Sequence, residues 1–460
     1  MLGLRLEALT PDDGLSPKMR APEARRLLGA FAQHARIDEE NFLAVGSLGR
    51  GGLSRIWGGF VCELGEDDLR GWPITTFDLR PSYDAVASRI GVSGSGDDGM
   101  AAFYGGSGAL LAPPPLGPTA AAILRRYEAA RPDRDFALGR ARNTLLTENR
   151  WQRQSCDFNF GCLWGCPRGA IYDARHDIAL LRQHGQFELR DAVAHRLARA
   201  EGGWEVVLAG GGALRAPRIV VAAGTLGSLH LVAPLLGTVA ELHLLNSPVI
   251  AMPLLVPRRL VGKRPAMGHS LAQLGFRLTC SPAPGDYVSG AVYEMGGLPP
   301  SSFAARMPLG RRAATEIFRA LAPALLVATV YFPGRWSANT VTLQPSADGP
   351  RITVRGGVAP GFHKVARMVR RRLTRIWRAL GAVPLPGAAL ATAGTDAHLG
   401  GVFPMGGGPP HGTNAWGELN GLPGLHLVDG SVLPTVPSKF TTLTVMANAD
   451  RIGRYLAEIA

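Results

Sequence analysis

The chain has 460 residues, 46% apolar and 18% charged, enough for about three ordinary domains or two large ones, and this balance excludes disorder as the main state. Its 59 Gly and 35 Pro follow no G-X-Y period, which excludes collagen and assigns the surplus to turns and close backbone approaches. The net charge of +13 comes mostly from Arg scattered along the chain, and aromatics at 7% are poor for base stacking, so no nucleic-acid partner is expected.

The opening, MLGLRLEALTPDDG, is polar and shows no basic stretch leading into an apolar one, so no signal peptide is read. GSLGRGGLSRIWGGF follows as a glycine-dense loop. WPITTFDLRPSYDAVASRIG then reads as a loop with a Pro stop and a short helix over Pro81–Ile90. Gly91–Gly99 and the Pro-rich Ala112–Pro118 read as surface connections, and Thr119–Arg131 as a helix. Cys156, Cys162 and Cys166 fall in CDFNFGCLWGCPRGA, at spacings that fit no four-cysteine cluster. No metal ligand set is read from them, and with five cysteines forming no disulfide framework a reducing, cytoplasmic location is expected.

From Phe187 the pattern turns to strands. FELRDAVAHRLARA, WEVVLAG and RIVVAAGT alternate apolar residues between glycine turns, predicting an antiparallel meander, with Arg218–Ala222 as a buried parallel strand at its end. LVATVYF, NTVTLQP and RITVRGG read as further strands. His363–Leu380 is a basic helix with an apolar stripe through Val365, Val369, Leu373 and Ile376. It reads as a solvated surface helix, with peripheral membrane or partner docking as the second reading. Leu425–Val428 is a buried strand, and apolar residues at spacings of three and four predict a helix over Thr442–Ile459. The longest apolar segments, Leu244–Val256 and Ala320–Phe332, are too short for the roughly 20 residues of a membrane-spanning helix.

Three segments can carry chemistry. In Gly51–Gly59, GGLSRIWGG, glycines let a flat ligand lie on bare backbone while Ser54 and Trp57 offer a donor and an aromatic wall. A plain turn is the equal alternative. In Arg218–Ser228, a strand ends at Ala222, Ala223 and Gly224 before a helix start, a geometry suited to a nucleotide and equally to ordinary strand–turn–helix packing. The third runs from HLGGVFPMGG to VDGSVLPT. There Asp429 and Gly430 end a strand, and His398 sits in a glycine-rich stretch as either a base or a structural histidine.

Taken in order, GG-x-S-x-x-W-GG, WPI…DL-x-P-x-Y, AAGTLGS, H-x-GG-x-x-PM and VDGSVLPT…MANADRI resemble the glucose–methanol–choline (GMC) family of flavin oxidoreductases over about 250 residues. The resemblance implies an α/β (α+β) fold. A discontinuous FAD-binding Rossmann-like domain would take 1–100, 145–235 and 395–460. A substrate domain with an antiparallel sheet would take 236–394, joined by a connecting or lid segment at 101–144. It implies FAD as cofactor, with Gly51, Gly52, Ser54, Trp57, Gly58 and Gly59 along the isoalloxazine and Ala222, Ala223 and Gly224 near the nucleotide. Val193 would meet the adenine through its backbone, and Asp429 and Gly430 would hold the pyrophosphate and ribityl chain. Glu7 would take the ribose position, and the G-x-G-x-x-G turn belonging about 20 residues before it is expected in frame upstream of Met1.

His398 matches the catalytic histidine of the family, whereas Phe440 stands where a second polar side chain is expected, so His398 is expected to act alone or with a replacement such as Thr441 or Thr442. The implied activity is oxidation of an alcohol group on a small molecule by hydride transfer to flavin, with an electron acceptor the sequence does not name. The alternative is a degenerate family member acting as a binding subunit.

Overall fold

The computed structural model describes residues 19–106, 108–237, 241–259, 265–295, 308–344 and 351–459. Helices are α1 (Pro22–Ala35), α2 (Thr76–Ile90), α3 (Ala101–Tyr104), α4 (Pro118–Ala130), α5 (Arg175–Leu181), α6 (Thr225–Val232), α7 (Arg311–Leu321), α8 (Phe362–Ala379) and α9 (Thr442–Glu458). The strands up to mid-chain are β1 (Ile37–Glu40), β2 (Phe136–Arg140), β3 (Ala194–Ala200), β4 (Gly203–Leu208), β5 (Ala213–Ala216), β6 (Ile219–Val221), β7 (Leu242–Asn246), β8 (Val249–Leu255) and β9 (Leu274–Thr279). The rest are β10 (Tyr287–Glu294), β11 (Leu325–Tyr331), β12 (Asn339–Gln344), β13 (Arg351–Arg355), β14 (Val383–Pro384), β15 (Ala389–Leu390), β16 (Leu399–Gly400) and β17 (Leu425–Leu427).

Two sheets carry the fold. The larger runs β14-β8-β11-β10-β9-β2, with β15 also on β8, and its described pairings are antiparallel. The second runs β1-β13-β12-β7-β16. The apolar stripe of α8 buries Val369, Leu373, Ile376 and Trp377 against the larger sheet, where Phe136, Phe276 and Trp377 pack ring on ring. The basic face of α8 turns outward, except that Arg372 is clamped by Asp133 and Asp135 at 2.6 Å. The meander forms as its alternation predicts, β3-β4-β5.

Several expectations change. β2 and α4 come from 101–144, so that segment contributes an edge strand to the larger sheet and a helix packed on it. β1 pairs with β13, and β7 with β16, so the strand pairing crosses the boundaries read from the sequence. Helix α2 starts at Thr76, five residues before Pro81. Its N-terminus is fixed by a capping box in which Thr75 accepts from the Asp78 amide and Asp78 from the Thr75 amide. That signal outweighs the proline, which costs one hydrogen bond inside the helix. Strand β6 is shorter and less buried than its apolar run suggests. It covers three residues, Val220 is 48% exposed, and among the described residues its one neighbour is β17, in parallel register. Parallel pairing is therefore local, at β6–β17 and β1–β13.

Candidate active site

His398 lies just before β16, with only 17% of its side chain exposed. Its Nδ1 is 3.3 Å from a carboxylate oxygen of Asp396, which is 5% exposed. Ala397 between them has φ of 56°, a left-handed conformation costing a residue with a Cβ of the order of 1–3 kcal/mol. That turn brings the side chains of Asp396 and His398, two positions apart, within reach of one another. Asp396 is held in turn by the Asn246 amide of β7 at 3.5 Å, and the Asn246 carbonyl accepts from Asn339 of β12 at 2.7 Å. The second sheet thus supports the histidine through two buried asparagines.

The other wall is aromatic. Tyr331, at the end of β11, has its ring centroid 5.6 Å from His398, and Phe440 stands edge-on to the imidazole at the same distance. Phe440 also stacks on Phe60 at 4.3 Å. Phe60 directly follows Gly59, so the glycine loop meets the histidine through these two rings. Gly58 faces the Tyr293 hydroxyl across 4.0 Å from where a Cβ would stand. Burial raises the Tyr293 phenol to about 12 and the Tyr331 phenol far above its ordinary range, so both stay protonated.

The loop itself is built on glycine conformations. Gly51, Gly52 and Gly59 have positive φ, and a Cβ on Gly59 would stand 2.9 Å from the Thr144 hydroxyl. Ser54 turns inward, donating to the Gly51 carbonyl and accepting from the Ala174 amide, so its hydroxyl is occupied within the loop. Trp57 donates its indole N–H to the Tyr172 carbonyl at 2.8 Å. Both fix the loop rather than reach outward.

Ala222, Ala223 and Gly224 are exposed at the C-terminal end of β6, and Gly224, with φ of 74°, precedes α6 without a side-chain cap. Asp429 is not presented outward as expected. Its carboxylate is buried, accepts from the Ser431 amide at 2.9 Å and the Ser228 hydroxyl at 2.5 Å, and is pushed above its ordinary value by burial. It holds the turn closed. Gly430 sits so tightly that a Cβ would stand 2.6 Å from the Leu399 carbonyl and 2.8 Å from the Thr225 hydroxyl. Since Leu399 follows His398, the turn and the histidine share one backbone junction.

Thr441 is the residue before α9 and makes no side-chain cap, and Thr442 is the first of that helix. No hydrogen bond joins either to His398. Val193 lies just outside β3, and its carbonyl accepts from the Ala209 amide. Glu7 is outside the described residues. Cys156, Cys162 and Cys166 pack in a small apolar cluster with Leu145, Leu146 and Leu271, and burial raises the Cys156 thiol to about 11. A cavity of about 670 Å³ is lined by residues that include Gly94, Gly105, Leu110, Leu111, Pro113 and Arg142, and by none of the candidate site residues. Asp396, Asn246, Tyr331 and Tyr293 were not found from sequence. Only Asp396, two positions from His398, carried a local signal.

The family profile described as GMC oxidoreductase matches residues 337–449. No curated protein sequence matches the chain. Among solved structures, the fold is similar to pyridoxine 4-oxidase from Mesorbium loti, at 14% identity over 97% of this chain and 92% of that one, with a TM-score of 0.58. It is also similar to an FAD-dependent oxidoreductase from Chaetomium thermophilum, at 15% identity over 90% and 87% of the two chains, with a TM-score of 0.54. The profile match runs from β12 into α9 and includes His398 and Asp429, and the fold as a whole is similar to that of these two oxidoreductases.

Proposed function

We infer that the chain is an FAD-dependent oxidoreductase, and we propose that it oxidises an alcohol group of a small polar molecule. The observation that carries the proposal is His398, sheltered by Tyr331 and Phe440 and backed by Asp396 at 3.3 Å.

The residues present suit the cofactor. Gly224 leaves open space where a Cβ would be, at the uncapped start of α6, and such a helix start favours phosphate oxygens through its free amides and dipole. The loop Gly51–Gly59 offers bare backbone for a flat ring, and Ala222 and Ala223 are small and exposed at the end of β6. In this reading, Gly51, Gly52, Gly58 and Gly59 lie along the ring, and Ala222–Gly224 with the backbone of Val193 take the nucleotide end.

Bound FAD supplies a two-electron acceptor for hydride from the substrate's carbinol carbon. The protein's own part is the proton. The Asp396 carboxylate lies 3.3 Å from Nδ1 outside hydrogen-bond geometry, and its negative charge favours the proton on that nitrogen, which leaves Nε2 of His398 to accept the hydroxyl proton. Phe440 excludes water from one side and gives no hydrogen bond, so His398 acts as the single polar contact to that hydroxyl.

His398→Ala tests this. Flavin content should stay at the wild-type level, while flavin reduction by an effective alcohol from a panel should slow by about 10²–10⁴-fold. Unchanged reduction would remove His398 from the reaction. The second reading, a binding subunit without catalysis, is favoured by Phe440 standing against the imidazole. A wild-type chain that holds flavin but is reduced by no alcohol would select it.

A further inference from the structure

A second histidine cluster lies outside the site above. His34 is in the last turn of α1, His230 in the last turn of α6, and His195 in β3. One ligating nitrogen from each lies within 4.8 Å of the other two. The ring of His34 is 5.2 Å from that of His230 and 6.1 Å from that of His195.

Three features set this group apart from histidines that merely pack together. The register between β3 and β4 shifts from Ala194 to Arg196, so His195 occupies the irregular position, and such bulges re-aim a side chain. Nε2 of His230 is buried without a hydrogen-bond partner, an open position that an apolar contact would not fill. Both His34 and His230 sit at helix C-termini, where the backbone dipole favours positive charge. Among the described residues, the groups that face His230 are His34, His195 and the Ala35 backbone.

We propose that His34, His195 and His230 form a binding site for a divalent first-row transition cation of the zinc type, with water as the fourth ligand. Three imidazoles and an open position are a recognised zinc set. Tetrahedral binding at about 2.0–2.1 Å places ligand nitrogens about 3.3 Å apart, so separations of up to 4.8 Å close by up to about 1.5 Å on loading. The exposed His195 side chain supplies that movement. The ion ties the end of α1, the bulge of β3 and α6 together, and it takes no part in the proton step at His398. The proposal is independent of the flavin reading.

The test uses the full chain, stripped by chelator and dialysed against zinc alone. One equivalent per chain is expected, with a rise in the thermal midpoint. His195→Ala, at an exposed position, should weaken zinc binding by at least about tenfold and abolish that rise. His230→Gln should do the same, and if it fails to fold, His195→Ala decides alone. A chain with Cys156, Cys162 and Cys166 all changed to Ser should bind as wild type. No saturable binding, binding unaffected by His195→Ala, or binding lost in the cysteine variant would overturn the proposal.

Discussion

Asp396 reaches His398 only because the residue between them is held left-handed, which makes the pair a test of positioning rather than of binding. Asp396→Asn keeps the size and the contact to Asn246 but loses the charge that favours Nδ1–H. Flavin content and the alcohol concentration giving half-maximal reduction should be unchanged, while the rate of flavin reduction at saturating alcohol should fall by about 10–10²-fold. Asp429 gives a second residue-scale prediction. Burial raises its folded-state value above the ordinary 3.8, so the folded chain holds a proton that the unfolded chain has already released. Stability contributed by that group is therefore present below about pH 3.8 and is lost as pH rises through the raised value. Urea midpoints across that window should fall more steeply with pH in the wild type than in Asp429→Asn, and parallel curves would contradict the assignment.

Among the elements, α2 and α9 are the pair that sets the site floor. The Tyr83 hydroxyl is 2.6 Å from that of Thr444 in their buried interface, and α9 begins directly after Phe440 and Thr441. Thr75→Ala removes half of the capping box of α2 and should cost about 1 kcal/mol, read as a lower urea midpoint with an unchanged slope. Elements were legible wherever a local pattern determines them. The stripe Val369, Leu373, Ile376 predicts α8, the 3–4 spacing of Leu443, Met446, Ala449, Ile452 and Leu456 predicts α9, and the glycine-bounded alternation predicts β3-β4-β5. They were not legible where pairing is set from afar. Phe136–Arg140 looks like part of a connection, and only its antiparallel register with β9 makes it an edge strand. The same holds for the site: His398 sits in a motif, but Asn246, Tyr293 and Tyr331 lie on separate strands with no local mark. The histidine cluster joins positions 34, 195 and 230, a separation no spacing rule covers.

At the scale of the molecule, one ion pair ties distant segments behind the site. Lys439 is 2.9 Å from Asp68, both nearly fully buried. Asp68 also accepts from the Gly65 amide and the Tyr287 hydroxyl, and Lys439 donates to the Glu63 carbonyl. The pair therefore links the 63–68 turn, β10 of the larger sheet and the residue before Phe440. Lys439→Met leaves a buried carboxylate without its cation and should cost about 3–5 kcal/mol. The double change Lys439→Met with Asp68→Leu should recover much of that loss, and a double-mutant cycle measures the difference.

The close seat of Gly430 has a bearing on how variants of this protein will be classified. A side chain there has nowhere to go except against the carbonyl of Leu399, and the backbone it displaces carries the imidazole on the preceding residue. Gly430→Ala would thus be scored in a genetic screen as a loss of chemistry, although position 430 never meets the reacting hydroxyl. A revertant selected against it should fall around Leu399 and Thr225, where room can be made, and not among the aromatic rings that face His398.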